Sequence, residues 1–195
     1  MNLYLFDFDG TITKKDSLFE FTKYSCGKVR YYSGMIVLLP VLVAAKVGLI
    51  SRDKGKRVFL KFFFGNKDKS FLENQGVDFC NHKLPNLLRP KAIKEINRLK
   101  HEGHTIAIVS ASLDIWLKPF ADLYGVNLIC TKAAYDTNNF FTGDFNGNNC
   151  NKAEKRDRIL KAYDLSLFDR IISYGDTKFD KDMFELSHTY YYKHF

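Results

Sequence analysis

Residues 3–11 read Leu3-Tyr4-Leu5-Phe6-Asp7-Phe8-Asp9-Gly10-Thr11. The run is apolar and aromatic up to Asp7 and is broken by Asp-Gly, the pattern of a short buried strand that ends in a turn. Two further stretches repeat it. Residues 105–109, Thr-Ile-Ala-Ile-Val, follow a helical stretch with Pro90 in its first turn and Gly103 just past its end. Residues 170–174, Arg-Ile-Ile-Ser-Tyr, follow a helical stretch over about 153–163. Residues 127–130 and 188–192 supply two more strand candidates, and a helix is expected over 113–124. The turn-rich segment after it, Ala-Tyr-Asp-Thr-Asn-Asn-Phe-Phe-Thr-Gly-Asp-Phe-Asn-Gly, reads as a hairpin or extended flap. Strands alternating with helices predict an α/β fold, a Rossmann-like parallel sheet covered on both faces.

Residues 12–88 break the alternation. They read as helices over about 16–25, 29–48, 51–64 and 68–83, interrupted at Gly27, around Gly48 and at Gly65-Asn66. The expected organisation is a catalytic core of residues 1–11 and 89–195 with a helical cap, residues 12–88, inserted after the first strand. Charge separates the same two parts. The insert holds 14 Lys/Arg against 6 Asp/Glu, and the remainder holds 16 against 16, so the whole net charge of +8 lies in the insert. The apolar run over residues 35–50 and the Phe-rich cluster over 58–64 lie there too. Both are expected to be mostly core of the insert; the alternative is an apolar, cationic surface that meets anionic lipid. Pro40, Lys46 and Gly48 interrupt the run, which falls short of the ~20 residues of a spanning helix.

With 46% hydrophobic and 27% charged residues among 195, the chain is composed like an ordinary globular protein. Cys26, Cys80, Cys130 and Cys150 are widely spaced, which excludes a zinc ribbon and points to reduced thiols. The opening residues lack the basic flank of a signal peptide, so a cytoplasmic location is expected, peripheral at the inner face of the membrane if the insert meets lipid. No nucleic-acid recognition motif accompanies the positive charge, and no nucleic-acid partner is expected.

Three strand ends carry polar residues that an open α/β sheet would bring together: Asp7 with Asp9, Ser110-Ala111-Ser112, and Asp176 with Asp180 beyond. Carboxylates gathered in this way repel one another unless a cation shares the site, and an all-oxygen set suits Mg²⁺, which also bridges to phosphate oxygens.

Asp7-Phe8-Asp9-Gly10-Thr11, Val109-Ser110-Ala111-Ser112, a basic helix start near Lys152 and Lys155, and Tyr174-Gly175-Asp176-Thr177-Lys178-Phe179-Asp180 resemble, in order, the four motifs of the haloacid dehalogenase superfamily. The helical insert resembles that of the phosphoserine phosphatase-like subclass. Cys150-Asn151-Lys152-Ala153-Glu154-Lys155 is most similar to the third motif of the phosphatidylglycerophosphatase C-like branch. The resemblance implies a phosphatase in which Asp7 is the nucleophile and Asp9 the proton-transfer partner. It implies that Asp7, the Asp9 carbonyl and Asp176 hold Mg²⁺, with Asp180 orienting its neighbours. Gly10, Thr11, Ser110, Ala111 and the third-motif lysine would contact phosphate. The branch pattern selects Lys155, whereas the wider subclass pattern selects Lys152. Asp9 argues for phosphoryl transfer, because dehalogenating relatives have no leaving oxygen to protonate.

Several residues keep two readings. Asp16 is either a substrate-reading carboxylate or the cap of the first insert helix, and Asp180 either orients the site or caps a helix. Arg52 and Arg57 either grip an anion or are ordinary surface charge. Phe179 stands where phosphoserine phosphatases carry Asn. The expected substrate is a phosphomonoester, lipid-linked as in phosphatidylglycerophosphate or, alternatively, a small soluble metabolite of the phosphoserine type.

Overall fold

The computed structural model describes residues 1–195. In chain order the elements are β1 (Leu3–Phe6), α1 (Ser17–Cys26), α2 (Lys28–Lys46), α3 (Arg52–Phe64), α4 (Lys69–His82), α5 (Pro90–His101), β2 (Thr105–Leu113), α6 (Asp114–Tyr124) and β3 (Asn127–Thr131). A hairpin of β4 (Ala133–Tyr135) and β5 (Phe141–Phe145) follows, then α7 (Ala153–Ala162), β6 (Ile171–Gly175), α8 (Lys181–Phe184) and β7 (Thr189–Tyr192).

The main sheet is parallel throughout, in the order β3-β2-β1-β6-β7. The expected α/β architecture is therefore present, with β1 at the centre. Alternation along the strands divides the apolar side chains between two faces. Leu3, Leu5, Ala107, Val109 and Ile171 join Ile159 of α7 and Met183 of α8 in a cluster of 9 buried residues. Phe6, Ile106, Ile108, Ile172 and Tyr174 belong to a second cluster of 31, which runs on without a break into α1, α3 and α4. The helical insert thus shares its core with one face of the sheet.

Local chemistry places the insert helices. Asp16 accepts from the amides of Leu18 and Phe19 at the start of α1, Ser51 from Lys54 at α3, and Asp68 from Phe71 at α4, each cap typically contributing ~1 kcal/mol. Gly27, at φ 78°, separates α1 from α2. The joint between α4 and the core is tight. A Cβ on Gly76 would lie 1.9 Å from the Ile115 carbonyl oxygen. That carbonyl is the one Pro119, inside α6, leaves without a helical N–H partner. Nearby, Phe21 stacks on the buried Trp116 at a centroid distance of 4.7 Å.

Two expectations need correction. Strand β2 runs on to Leu113, and its register against β3 shifts between Ser110 and Leu113. The Ser-Ala-Ser segment therefore leaves the regular ladder, as bulged strands do beside active sites. The apolar run over 35–50 is not mostly core. Helix α2 is unbroken for 19 residues despite Pro40, and only Gly34 and Leu38 of it are buried. By length and composition this helix is long and apolar enough to cross a membrane. The sequence reading failed because the helix is apolar all the way round, so its pattern carries no sign of which side faces solvent.

Candidate active site

Strand β1 delivers Asp7 to the carboxyl end of the sheet, where its amide donates to the Tyr174 carbonyl at 2.9 Å. The chain then turns back on itself. The amides of Ile12 and Thr13 both donate to the Phe8 carbonyl, at 2.9 and 3.0 Å, closing a loop pinned by the buried Phe8 ring. Gly10 sits in that loop at φ +86°, and a Cβ there would lie 2.1 Å from Asp176 Oδ2. Glycine is thus required both for the backbone angle and for the approach of Asp176.

Around Asp7 the carboxylates meet one buried ammonium. Lys155, 2% exposed in the first turn of α7, donates from Nζ to Asp7 Oδ1 and to Asp180 Oδ1, each at 2.6 Å. Burial by itself would discharge this lysine. Attraction to Asp7 and Asp180, with both hydrogen bonds, outweighs burial and holds its pKa above the usual lysine value. Burial pushes Asp7 in the opposite sense for a carboxyl, well above the usual range; Lys155 counteracts this and Asp180 adds to it.

Asp180 is fully occupied. Besides Lys155, it accepts through Oδ2 from the amides of Asp176 and Thr177 and from Thr177 Oγ1, forming a capping box. It gives the helix that follows it no side-chain cap; it is the third residue of a short turn capped by Thr177, and it holds Lys155 and that turn in place. Asp176 differs: its Oδ1 is buried and has no hydrogen-bond partner. Carboxylate oxygens of Asp7, Asp176 and Asp180 lie within 4.8 Å of one another. An orphaned buried carboxylate oxygen beside a second carboxylate, with Asp180 already saturated, fits a hard divalent cation held by Asp7 and Asp176.

Asp9 is held apart from Asp7's partners. Its Oδ1 accepts from the Ser17 amide at 2.6 Å, at the start of α1, and its Oδ2 from Ser112 Oγ at 2.5 Å. Ser17 Oγ lies 3.1 Å from Ser112 Oγ and accepts from Trp116 Nε1 at 2.8 Å. A buried chain of hydrogen bonds from Trp116 through both serines thus fixes the Asp9 carboxylate.

The remaining expected residues sort by position. Ser110 and Ala111 line a cleft of roughly 1010 Å³, as do Asp7, Asp9, Asp16, Lys152, Lys155, Asp176 and Asp180. Ser110 Oγ accepts from the Ser112 amide at 3.1 Å, leaving its hydroxyl hydrogen to donate. Gly10 and Thr11 are not on the cleft wall. Thr11 is buried with Oγ1 3.5 Å from Asp7 Oδ2. Asp16 has both of its expected positions, capping α1 while lining the cleft. Of the two candidate lysines, Lys155 is brought to Asp7; Lys152 is exposed at φ 49°, its ammonium 5.5 Å from the Phe179 ring. Arg52 reaches the same ring at 4.8 Å and lines the cleft, whereas Arg57 pairs with Asp144 on β5.

Sequence reasoning missed Lys56. This side chain of α3 reaches across to the core, donating to the Ala111 carbonyl at 2.5 Å and to Asn149 Oδ1 at 2.9 Å. Burial lowers its pKa to about 8, against the pull of Asp16, Asp9 and Asp53. Asp53 completes the seam by accepting from Asn149 and Asn151. Nothing in the sequence marks these residues as neighbours, because they lie on an insert helix and in a turn far away in the chain. Ser112 and Trp116 had a faint signal, a second serine after Ser110 and the chain's only tryptophan just beyond it.

The family described as haloacid dehalogenase-like hydrolase matches residues 4–185. Protein CicA of Caulobacter vibrioides (strain NA1000 / CB15N) is 32% identical over 190 residues, which are 95% of this chain and 82% of that protein. Among solved structures, a protein of unknown function from Bordetella pertussis Tohama I is similar with a TM-score of 0.82 at 18% identity, covering 97% of this chain and 88% of the other. A phospho-aspartyl intermediate analogue of phosphoserine phosphatase gives a TM-score of 0.67 at 18% identity, covering 96% and 84%. At such identities these structures speak for the fold alone. The family match spans nearly all of the chain, over the strands and loops that assemble the carboxylate cluster, and the chain belongs to the haloacid dehalogenase-like hydrolases.

Proposed function

We propose that this hydrolase is a Mg²⁺-dependent phosphatase acting on phosphomonoesters through an aspartyl-phosphate on Asp7. The observation that carries the reading is the Asp7–Lys155–Asp180 triad set beside the unpartnered Asp176 Oδ1. Asp7, Asp176 and the Asp9 carbonyl would hold the cation, which when bound neutralises phosphoryl charge.

An Asp7 carboxylate oxygen attacks phosphorus while the ester O–P bond breaks, and Asp9 gives its proton to the leaving alkoxide. In the second half, Asp9 takes a proton from water as the water oxygen attacks the same phosphorus, returning Asp7 as carboxylate and releasing inorganic phosphate. Lys155 offsets negative charge on the transferring oxygens, and Ser110 Oγ with the Ala111 amide donates to them. The network of Ser17, Ser112 and Trp116 keeps Asp9 aimed throughout.

Helices α1–α4 serve as the cap over this chemistry, with residues 1–11 and 89–195 as the core. Beyond the reacting groups, the cleft carries Lys46, Arg52, Lys152 and Lys178, a surplus of cations suited to a second anionic group. That favours a lipid-linked phosphate with a phosphodiester beside the monoester, in keeping with the resemblance to the phosphatidylglycerophosphatase C-like branch. A soluble phosphoserine-like substrate is the second reading, supported by Asp16, whose carboxylate on the cleft wall suits a substrate ammonium. The unpaired state of all four cysteines fits a reducing cytoplasm.

The test is turnover of an aryl phosphate with and without Mg²⁺, followed by a panel of soluble and lipid phosphomonoesters. Metal-dependent release of phosphate, abolished by Asp7→Asn, is expected; equal activity in the variant overturns the mechanism.

A further inference from the structure

We propose that the outward face of α2 docks on an anionic lipid bilayer and brings the mouth of the cleft to the membrane surface. Helix α2 has two faces of similar polarity and opposite surroundings. The inner one packs on α3, where a Cβ on Gly34 would lie 2.5 Å from the Phe63 ring and one on Gly55 2.8 Å from Ala45 Cβ. The outer one touches nothing. Val29 (86% exposed), Ile36 (74%), Val43 and Val47 (64%) follow one another at helical spacing along it, and Leu49 (80%) extends it past the helix end. An exposed apolar stripe of this length marks an interaction surface.

Charge identifies the occupant. From Phe21 to Arg52 the chain has no Asp or Glu, but it has Lys23, Lys28, Arg30, Lys46 and Arg52. Apolar side chains flanked by cations on an uncompensated stretch complement anionic lipid through both burial and charge. A second copy of the chain fits poorly, since a two-fold contact through this face would set these cations against their own counterparts.

The helix lies on the bilayer and does not cross it. Crossing would strip α2 from Phe63 and the rest of α3. Pro40, on the outer face, also leaves the Ile36 carbonyl without its helical donor, which water satisfies at headgroup level but not in hydrocarbon. Docking has a use at the active site. Ala45, Lys46, Gly48, Ile50 and Arg52, at the end of α2 and in the turn after it, form part of the cleft rim. A substrate anchored in the same membrane would reach Asp7 past these residues. That benefit rests on the phosphatase reading; the docking itself does not.

The experiment is flotation of the full chain with vesicles of phosphatidylglycerol and phosphatidylcholine, and with phosphatidylcholine alone. Wild type is expected to bind the anionic vesicles, weakly or not at all the neutral ones, and less as salt rises. Ile36→Gln/Val43→Gln, which alters only exposed positions in a helix-compatible way, should cut binding about tenfold or more. Lys28→Gln should weaken it less. Aryl phosphate turnover should be unchanged in both variants, which also reports that they fold. Failure of wild type to bind anionic vesicles overturns the proposal, as does undiminished binding by the double variant. A wild-type dimer that the double variant converts to monomer, without vesicle binding, assigns the face to a second copy instead. Loss of aryl phosphatase activity in wild type would overturn the catalytic reading and leave the flotation result standing.

Discussion

Replacing Lys155 by Met tests the electrostatic construction of the site more directly than any other single change. The wild-type ammonium sits 2.6 Å from both Asp7 Oδ1 and Asp180 Oδ1, and all three side chains are buried. Methionine fills similar space without charge, so two carboxyls are left facing each other in a low-dielectric pocket. Breaking a buried pair by removing one partner typically costs about 3–5 kcal/mol, and that is the loss expected in metal-free buffer at neutral pH. The loss should depend on pH. Without Lys155, the Asp7 pKa rises further above its unfolded value, since Lys155 is what counteracts burial. A carboxyl with a raised folded pKa binds more protons folded than unfolded, so its stability contribution is present at low pH and lost as pH rises through the folded pKa. Because the wild-type Asp7 is itself raised to about 8, both proteins lose stability in step up to that pH, and the gap should widen only above it, by up to ~1.4 kcal/mol per unit. Urea unfolding at a series of pH values, with chelator present, measures it. A variant as stable as wild type, or a gap that stays flat above about pH 8, would refute the reasoning.

Two further outcomes follow from the same geometry. Ser112→Ala removes the 2.5 Å donor to Asp9 Oδ2 while leaving Asp7 and Lys155 in place, so kcat for an aryl phosphate should fall about tenfold or more with little change in KM, as Asp9 loses its aim. Lys56→Met should raise KM below pH 8 and remove a pH dependence that wild type shows. With the folded pKa of Lys56 lowered to about 8, wild type should lose anion affinity as pH rises past that value. The unfolded lysine keeps its proton to higher pH, so the wild-type stability should also climb relative to the variant from about pH 8 toward the unfolded pKa of roughly 10.4. Steady-state kinetics and unfolding curves over that range check both signs.

The parallel sheet was legible because a strand buried on both faces must be apolar throughout, and the residues at 3–6, 105–109 and 171–174 have no other economical use. The carboxylate cluster was legible because strand ends in such a sheet converge, which makes Asp7, Ser110 and Asp176 neighbours by topology alone. The side chains that hold those groups in position were not. Asp9 is steered by Ser17, Ser112 and Trp116, whose relation depends on how α1 lies against α6. Lys56 reaches Ala111 only because α3 packs against the core with the right rotation. Periodicity gives the faces of a helix, but an all-round apolar helix such as α2 has none to give. The choice between core and surface there is made by the size of the insert, which has partners for one side of α2 and no more.

The uninterrupted apolar core between the insert and the sheet limits how this enzyme can move. Lifting α1 and α4 away as a rigid lid would expose Phe21, Phe79, Trp116 and Ile115 together, at about 1.5–3 kcal/mol for each large side chain. The sum approaches the entire stability of an ordinary domain, so such a swing would amount to partial unfolding. Only the first turn of α3 is joined differently, by Asp53 and Lys56 to Asn149, Asn151 and the Ala111 carbonyl, whereas Phe59, Phe63 and Phe64 farther along belong to the same apolar core. Water can replace those polar contacts at little cost. Breathing during turnover should then be confined to the turn between α2 and α3 and the first turn of α3, with the aromatic joint at Trp116 acting as a fixed pivot.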